Sequence, residues 1–107
     1  MASQIDGVLG ERTARRQATA IARVAPLLHQ LRRDGIDIVV IGSLAREQFR
    51  SHSDVDLLVR GVLNTSTRTK VERAVAAAMR GSEIPYDLIF AADLTPERLK
   101  EFERGLV

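Results

Sequence analysis

Apolar residues along this chain follow two spacings, one typical of helices and one typical of strands. Within residues 11–33 they recur at the spacing of an amphipathic helix. This stripe consists of Ile21, Val24, Leu28 and Leu31. Pro26 interrupts the segment and is expected to kink or split the helix, because proline lacks the backbone N–H and clashes with the preceding turn. We expect residues 1–10, which precede this helix, to be flexible.

Short runs rich in β-branched and aromatic residues predict three strands, over residues 36–41, 54–60 and 84–91. A second apolar stripe follows Thr69, which opens a capping box, and Thr95 with the proline after it marks the start of a final helix. This order predicts an α/β (α+β) fold with a small mixed β-sheet flanked by α-helices. The link between the first two strands is too short for a crossover helix, so we expect those strands to be antiparallel.

Polar residues gather where the first strand ends and the second begins. Gly42 and Ser43 end one apolar run, and Asp54 and Asp56 open the next. Residues at i and i+2 of a strand point to the same face, so the two carboxylates lie side by side. Such carboxylates repel each other unless a cation lies between them. The pattern indicates a metal-dependent nucleotidyl-transfer site in which Gly42 and Ser43 hold phosphate and the aspartates hold Mg²⁺. The alternative is an ordinary turn followed by a strand with an acidic solvent face.

The stretch GSLAREQFRSHSDVDLLV, residues 42–59, resembles the signature of the minimal nucleotidyltransferases of the DNA polymerase beta superfamily. That signature is Gly-Ser, a spacer and Asp-x-Asp, with a third carboxylate on a later strand. The similarity extends over roughly residues 21–93 and implies a mixed sheet flanked by helices and transfer of a nucleoside monophosphate from an NTP, here expected to be ATP. Arg46 matches the family's arginine and is implied to contact phosphate or to support the loop. Glu47 stands where the family usually has glycine, and its charge would repel a triphosphate unless it points away or helps to bind metal.

The resemblance also implies two metal ions bridged by Asp54 and Asp56, with a third carboxylate on the ion that activates the nucleophile. Asp87 is our candidate, because it lies inside the apolar run of the third strand, where a carboxylate needs a partner. Asp93 is the alternative, although its position near the end of that strand is typical of a turn. The predicted catalytic and metal-binding residues are therefore Asp54, Asp56 and Asp87, and the predicted nucleotide-binding residues are Gly42, Ser43 and Arg46.

Composition limits the class of protein. The chain has 107 residues, 45% of them hydrophobic, and we expect one domain over residues 11–107. No apolar run approaches the length of a membrane span, and no signal peptide is recognisable. The absence of cysteine excludes disulfides. We therefore expect a cytoplasmic protein. A net charge of +2 with 4% aromatic residues does not indicate nucleic-acid binding. We interpret the arginine-rich segment before residue 34 as a solvated helix face, the alternative being a surface for an acidic partner or RNA.

Domains of the type that this chain resembles are commonly paired, as antitoxin to toxin, with a small helical HEPN protein, and some transfer AMP onto a tyrosine of that partner. A domain of this length is expected to lack an acceptor-binding domain, so we expect it to act on a cognate HEPN-type toxin. Apolar surface around Leu27, Leu28 and Leu31 is expected to serve that partner. Two alternatives stay open: a binding module that neutralises its partner by contact alone because Glu47 weakens catalysis, and a small-molecule nucleotidyltransferase that acts as a homodimer.

Overall fold

The structure, a computed structural model, describes residues 4–46, 48–50 and 52–104, with only the backbone described for residues 4–9. Its elements are α1 (Gln4–Arg33), β1 (Ile38–Ile41), α2 (Gly42–Ala45), β2 (Val55–Val59), α3 (Thr65–Met79), β3 (Tyr86–Phe90), a 3₁₀ turn (Ala91–Asp93) and α4 (Pro96–Arg104). This order, with three strands in one mixed sheet flanked by helices, confirms the predicted α/β fold. Among the described residues, no helix is both long enough and apolar enough to cross a membrane.

The sheet has the strand order β1-β2-β3. β1 runs antiparallel to β2 with Ile41 opposite Asp56, as the short link between them predicted. β2 runs parallel to β3 with Asp56 opposite Asp87, and α3 supplies the crossover that a parallel pair requires. Because directly opposite residues share a face of the sheet, Ile41, Asp56 and Asp87 form one row across all three strands.

α1 and α3 cover one face of the sheet and form the main core with it. This core includes Val24, Leu27 and Leu31 of α1, Val55, Leu57 and Val59 of β2, and Val71, Val75 and Met79 of α3. The residues of β2 that face it are fully buried, as is Leu31. The carboxylate row points away from this core, since it occupies the alternate positions of the strands.

α4 covers part of the opposite face. Its partly buried residues Leu99 and Phe102 pack in a smaller cluster with Ile41, Leu58 and Ile89. The hydroxyl of Thr95 accepts a hydrogen bond from the backbone N–H of Arg98 at 3.2 Å, so the predicted cap of this helix is confirmed. α4 therefore shields the apolar part of the face that also carries the carboxylates.

The start and the continuity of α1 differ from the prediction. It begins at Gln4 rather than near Glu11, and it passes through Pro26 without splitting. Pro26 is exposed, while Val24 and Leu27 beside it are buried in the core, so packing on both sides holds the helix across the missing hydrogen bond. The expected flexibility of residues 1–10 stays a prediction.

The buried face of α1 also differs from the predicted stripe. Ala20, Val24, Leu27 and Leu31 are buried, whereas Ile21 is 48% exposed. The expectation that Leu27 and Leu31 present a surface to a partner is therefore wrong, because both pack into the main core against β1, β2 and α3. Spacing alone did not fix which side of the helix meets the sheet.

α3 begins earlier than predicted. Its first residue is Thr65, and the side chain of Asn64 accepts a hydrogen bond from the backbone N–H of Thr67 at 2.8 Å. The predicted capping box at Thr69 therefore lies inside the helix rather than at its start. Asn64 supplies the cap because asparagine satisfies a free N–H at a helix N-terminus as well as serine or threonine does.

The arginines of α1 lie largely on an exposed face, as interpreted, but two of the exposed ones also bind neighbouring elements. Arg23 donates hydrogen bonds to the carbonyls of Ala78 and Arg80 at 3.4 and 3.0 Å, at the C-terminal end of α3. Arg32 donates to the carbonyl of Ile38 at 3.1 Å, at the start of β1. Carbonyls at such ends lack partners within their own elements, so these arginines fasten α1 to its neighbours.

Paired alanine substitutions test which face of α1 is buried. Leu31→Ala should lower the free energy of unfolding by about 2–5 kcal/mol, because it empties a fully buried position. Ile21→Ala, at a position that the apolar spacing places on the same stripe, should change it by less than about 1 kcal/mol. Urea unfolding followed by circular dichroism measures both. Equal losses would contradict the observed orientation of the helix.

Candidate active site

Three aspartates lie near one another on the side of the sheet that faces away from α1 and α3. Asp56 lies in β2 directly opposite Asp87 of β3, on strands that are about 4.8 Å apart. Asp54 lies two residues before Asp56, close enough for its negative charge to raise the pKa of Asp56. Asp56 is half-buried, whereas Asp54 and Asp87 are exposed. The structure thus brings near one another the three carboxylates that the sequence singled out, with Asp56 half-buried and the other two exposed.

The electrostatics of Asp56 show how closely these groups influence one another. Burial raises the pKa of Asp56 above its ordinary value, and the negative charges of Asp87 and then Asp54 raise that pKa further. Both causes disfavour the ionised carboxylate. A cation among the three side chains would remove the repulsion and stabilise the ionised form.

Asp87 has a different environment from the one its sequence context predicted. The argument for a buried carboxylate is wrong, because Asp87 is exposed at the edge of the sheet. What connects it with the other aspartates is its register opposite Asp56. Of its apolar neighbours in β3, Leu88 packs in the main core on the other side of the sheet and Ile89 packs in the cluster under α4, whereas Tyr86 is exposed.

Asp93, the alternative third carboxylate, lies in the 3₁₀ turn and is engaged elsewhere. Both of its carboxylate oxygens accept hydrogen bonds from the guanidinium of Arg68, one of them at 2.9 Å. These bonds lower the pKa of Asp93. Arg68 also lies over the ring of Phe90, 4.2 Å from its centroid. The geometry therefore groups Asp87, and not Asp93, with Asp54 and Asp56.

Gly42 lies directly against Asp56. Its φ is +74°, a backbone conformation that favours glycine. A Cβ built at this position would be only 2.5 Å from Oδ2 of Asp56. Any side chain at residue 42 would therefore displace that carboxylate, so the glycine is needed for its backbone conformation and for the space it leaves.

Ser43 and Arg46 lie in the segment that leaves Gly42. The short helix α2 begins at Gly42, and it is four residues long. Ser43 is half-buried and its carbonyl accepts a hydrogen bond from the backbone N–H of Gln48 at 2.8 Å. The Arg46 side chain is exposed, and its backbone N–H donates to the carbonyl of Gly42 at 3.2 Å. Glu47, the departure from the family pattern, lies outside the described residues, and phosphate binding by this segment stays a prediction.

The donor set fits a hard divalent cation in its chemistry. Three carboxylates on one face offer the oxygen ligands that Mg²⁺ prefers, and Gly42 leaves room beside Asp56. Within residues 4–46, 48–50 and 52–104, no three His, Cys, Asp or Glu side chains converge closely enough to form a complete metal site. Closing a site around a cation would therefore require the exposed Asp54 and Asp87 to turn toward Asp56, with phosphate and water supplying further ligands.

Sequence reasoning missed the residues that fasten the loop before Asp54. Phe49 is 2% exposed and anchors this loop in the main core. Arg16 of α1 lies over the Phe49 ring, 5.6 Å from its centroid, and donates to two carbonyls of the loop. A single aromatic residue in an otherwise polar segment was the available signal for Phe49. No pattern marked Arg16, because its partners are more than thirty positions away.

The sequence pattern of the nucleotidyltransferase domain family matches residues 21–106, most of the chain. The chain belongs to this family. Domains of this family transfer nucleotidyl groups, and they generally use an NTP and a divalent metal ion. No curated protein was found to match the chain. The family match includes the Gly42 turn and all three aspartates, whereas Arg16 lies before it.

Two glycine substitutions separate backbone strain from displacement of Asp56 in this nucleotidyltransferase. Gly42→Ala and Gly35→Ala both place a Cβ on a residue with positive φ, +74° and +84°, and each should cost about 1–2 kcal/mol of stability. Only the Cβ at residue 42 meets Asp56, since nothing lies within 4 Å of one at residue 35. Calorimetry should therefore show metal-dependent NTP binding weakened about tenfold or more by Gly42→Ala alone. Equal effects of the two variants on binding would contradict the close approach.

Neutralising Asp56 should stabilise the metal-free protein. Because its pKa is raised on folding, the stability linked to Asp56 is fully present below its ordinary value of 3.8 and is lost as pH rises through the folded-state pKa. Asp56→Asn should therefore unfold at higher urea concentration than the parent protein at neutral pH in the presence of EDTA. The difference should shrink as pH falls through the raised folded-state pKa of Asp56, and it should vanish below its ordinary value of 3.8. A variant that is less stable at neutral pH would show that contacts of the carboxylate outweigh its burial and repulsion.

Proposed function

We propose that this nucleotidyltransferase transfers AMP from ATP onto a tyrosine hydroxyl of a cognate partner protein, in the presence of Mg²⁺. The observation that carries the proposal is the row of carboxylates beside Gly42, in which Asp87 is exposed on an edge strand. The class of partner, a HEPN-type toxin that the modification neutralises, rests on the resemblance of residues 42–59 to the minimal nucleotidyltransferases. The protein would then act as an antitoxin in the cytoplasm.

The Gly42 turn is the proposed site of the triphosphate. With no side chain at residue 42, phosphate oxygens can approach the backbone beside Asp56. The Ser43 hydroxyl and the exposed Arg46 guanidinium offer a hydrogen-bond donor and a positive charge from the same segment. The three aspartates would hold Mg²⁺, which would neutralise negative charge on the triphosphate and on the attacking oxygen.

In the proposed reaction the acceptor oxygen attacks the α-phosphorus of ATP. A new O–P bond forms, the bond from the α-phosphorus to the oxygen bridging the α- and β-phosphates breaks, and pyrophosphate leaves with that electron pair. The proton of the acceptor hydroxyl passes to a carboxylate oxygen. Asp87 suits this step because it is exposed at the sheet edge, where an incoming hydroxyl reaches it first, while Asp56 lies deeper in the site. Water is the competing acceptor at so open a site.

A shallow groove along α1 replaces the leucine surface as the proposed contact with the partner. Ile21 is 48% exposed, and it lines this groove together with Gly10, Ala14 and Ala18 of the helix and Arg50 of the loop before Asp54. Small residues let another helix approach closely, and HEPN-type proteins are expected to be helical. A second copy of this chain in the same groove is the alternative occupant.

A transfer assay with purified proteins tests this proposal. The protein is mixed with the HEPN-like product of a neighbouring reading frame, Mg²⁺ and ATP, and intact-mass spectrometry should show a gain of one AMP on the partner, at tyrosine. Asp54→Asn combined with Asp56→Asn should abolish this gain while the circular dichroism spectrum stays unchanged. Asp34→Asn combined with Asp37→Asn is the matched control, because it removes two carboxylates of exposed surface ion pairs and should leave transfer intact.

The alternative functions give different results in the same assay. A stable complex that forms without modification of the partner would favour neutralisation by contact alone. A homodimer that labels an added small-molecule hydroxyl, but not the protein, would favour the small-molecule enzyme. A protein that neither binds the neighbour's product nor labels it would contradict the proposal.

A further inference from the structure

The loop that leads into Asp54 is held by one side chain of α1. Nη2 of Arg16 donates a hydrogen bond to the carbonyl of Ser53 at 2.9 Å, and Nε donates to the carbonyl of Arg50 at 3.2 Å. The guanidinium also lies over the ring of the buried Phe49. Arg16 therefore binds Arg50 and Ser53, the two residues that close the turn before Asp54, and lies over the aromatic ring that precedes them.

This turn has two further hydrogen bonds of its own. The backbone N–H of Ser53 donates to the carbonyl of Arg50 at 3.1 Å, so that carbonyl accepts from two donors. The hydroxyl of Ser53 accepts from the backbone N–H of Arg50 at 2.9 Å. The turn is thus closed at residues 50 and 53, and Arg16 attaches the closed turn to α1.

Asp54 depends on this turn for its position. Strand β2 begins at Val55, whose N–H donates to the carbonyl of Pro85 at 2.9 Å, so Asp54 precedes the strand pairing. Its side chain is exposed and has no core around it. Asp56, by contrast, is fixed between Ile41 and Asp87 by strand register. Of the three carboxylates, Asp54 is the one whose placement the sheet leaves to the preceding loop.

We infer that Arg16 is a positioning residue: through its bonds to Arg50 and Ser53 it holds Asp54 beside Asp56, in the geometry that the site needs to bind metal and nucleotide. This inference rests on the proposed transfer chemistry. Arg16 precedes the part of the chain that matches the family, so this side chain supports the site from outside the matched region. An arginine suits this position because its planar fork donates in two directions at once and stacks on an aromatic ring.

Arg16→Ala tests the inference, with Arg15→Ala as the matched control. Both variants remove one arginine from the same helix, but Arg15 is exposed and its recorded partner is Glu11, one helical turn away at 3.6 Å. Arg16→Ala should lower kcat about tenfold to hundredfold, because a displacement of about 1 Å in a reacting group costs this much. It should also raise the Mn²⁺ dissociation constant, measured by electron paramagnetic resonance, about tenfold. Arg15→Ala should change each quantity less than twofold, and Arg16→Lys should restore part of the loss.

Amide hydrogen exchange separates positioning from a general loss of stability. Arg16→Ala should speed exchange of the Ser53 amide while leaving that of Leu57, in the fully buried centre of β2, unchanged. Equal acceleration at both amides would show that Arg16 merely stabilises the fold and would overturn the inference. Unchanged Ser53 exchange together with unchanged Mn²⁺ affinity would overturn it as well. If the parent protein transfers no nucleotide, the proposed function fails, whereas exchange and Mn²⁺ binding still decide the role of Arg16.

Discussion

The register of the three strands holds the candidate site together. Asp56 lies opposite Ile41 on one side and opposite Asp87 on the other, so a residue of the central strand joins both edges of the sheet. A slip of one residue in either pairing would turn the carboxylates toward the core and the buried residues toward solvent. Leu57 and its neighbours on the covered face resist such a slip, because they are fully buried between α1 and α3. The apolar face of β2 thus fixes where the acidic face lies.

The strand register also places the Asp56 carboxylate, which opposes folding when it is ionised, next to core residues that stabilise the fold. Burial and two nearby carboxylates raise the pKa of Asp56, so its ionisation opposes folding, while Val55 and Leu57 on either side of it are fully buried in the core. A site that binds a divalent cation needs such a concentration of negative charge before the cation arrives. Gly42 adds a second constraint, since both its positive φ and the space beside Asp56 require a residue without a side chain.

Arginines of α1 connect distant parts of the chain through backbone carbonyls. Arg23 binds the C-terminal end of α3, Arg32 binds the start of β1, and Arg16 binds the loop before β2. Each guanidinium satisfies carbonyl groups that no strand or helix pairs, which is a common need at the ends of elements. One long helix thereby fastens three separate segments, and one of these leads directly into the site.

Sequence alone determined the elements, the antiparallel pairing of β1 with β2 and the candidate aspartates, since local spacing and the Gly-Ser and Asp-x-Asp pattern are properties of neighbouring residues. Tertiary structure decided the rest. Packing against the sheet buries Leu27 of α1 and leaves Ile21 exposed, although both are apolar. The same packing holds the helix continuous through Pro26, because it outweighs the local preference of proline against helix. Tertiary structure also paired Asp93 with Arg68 and left Asp87 exposed opposite Asp56. These outcomes depend on contacts between residues far apart in the chain, which no local pattern encodes.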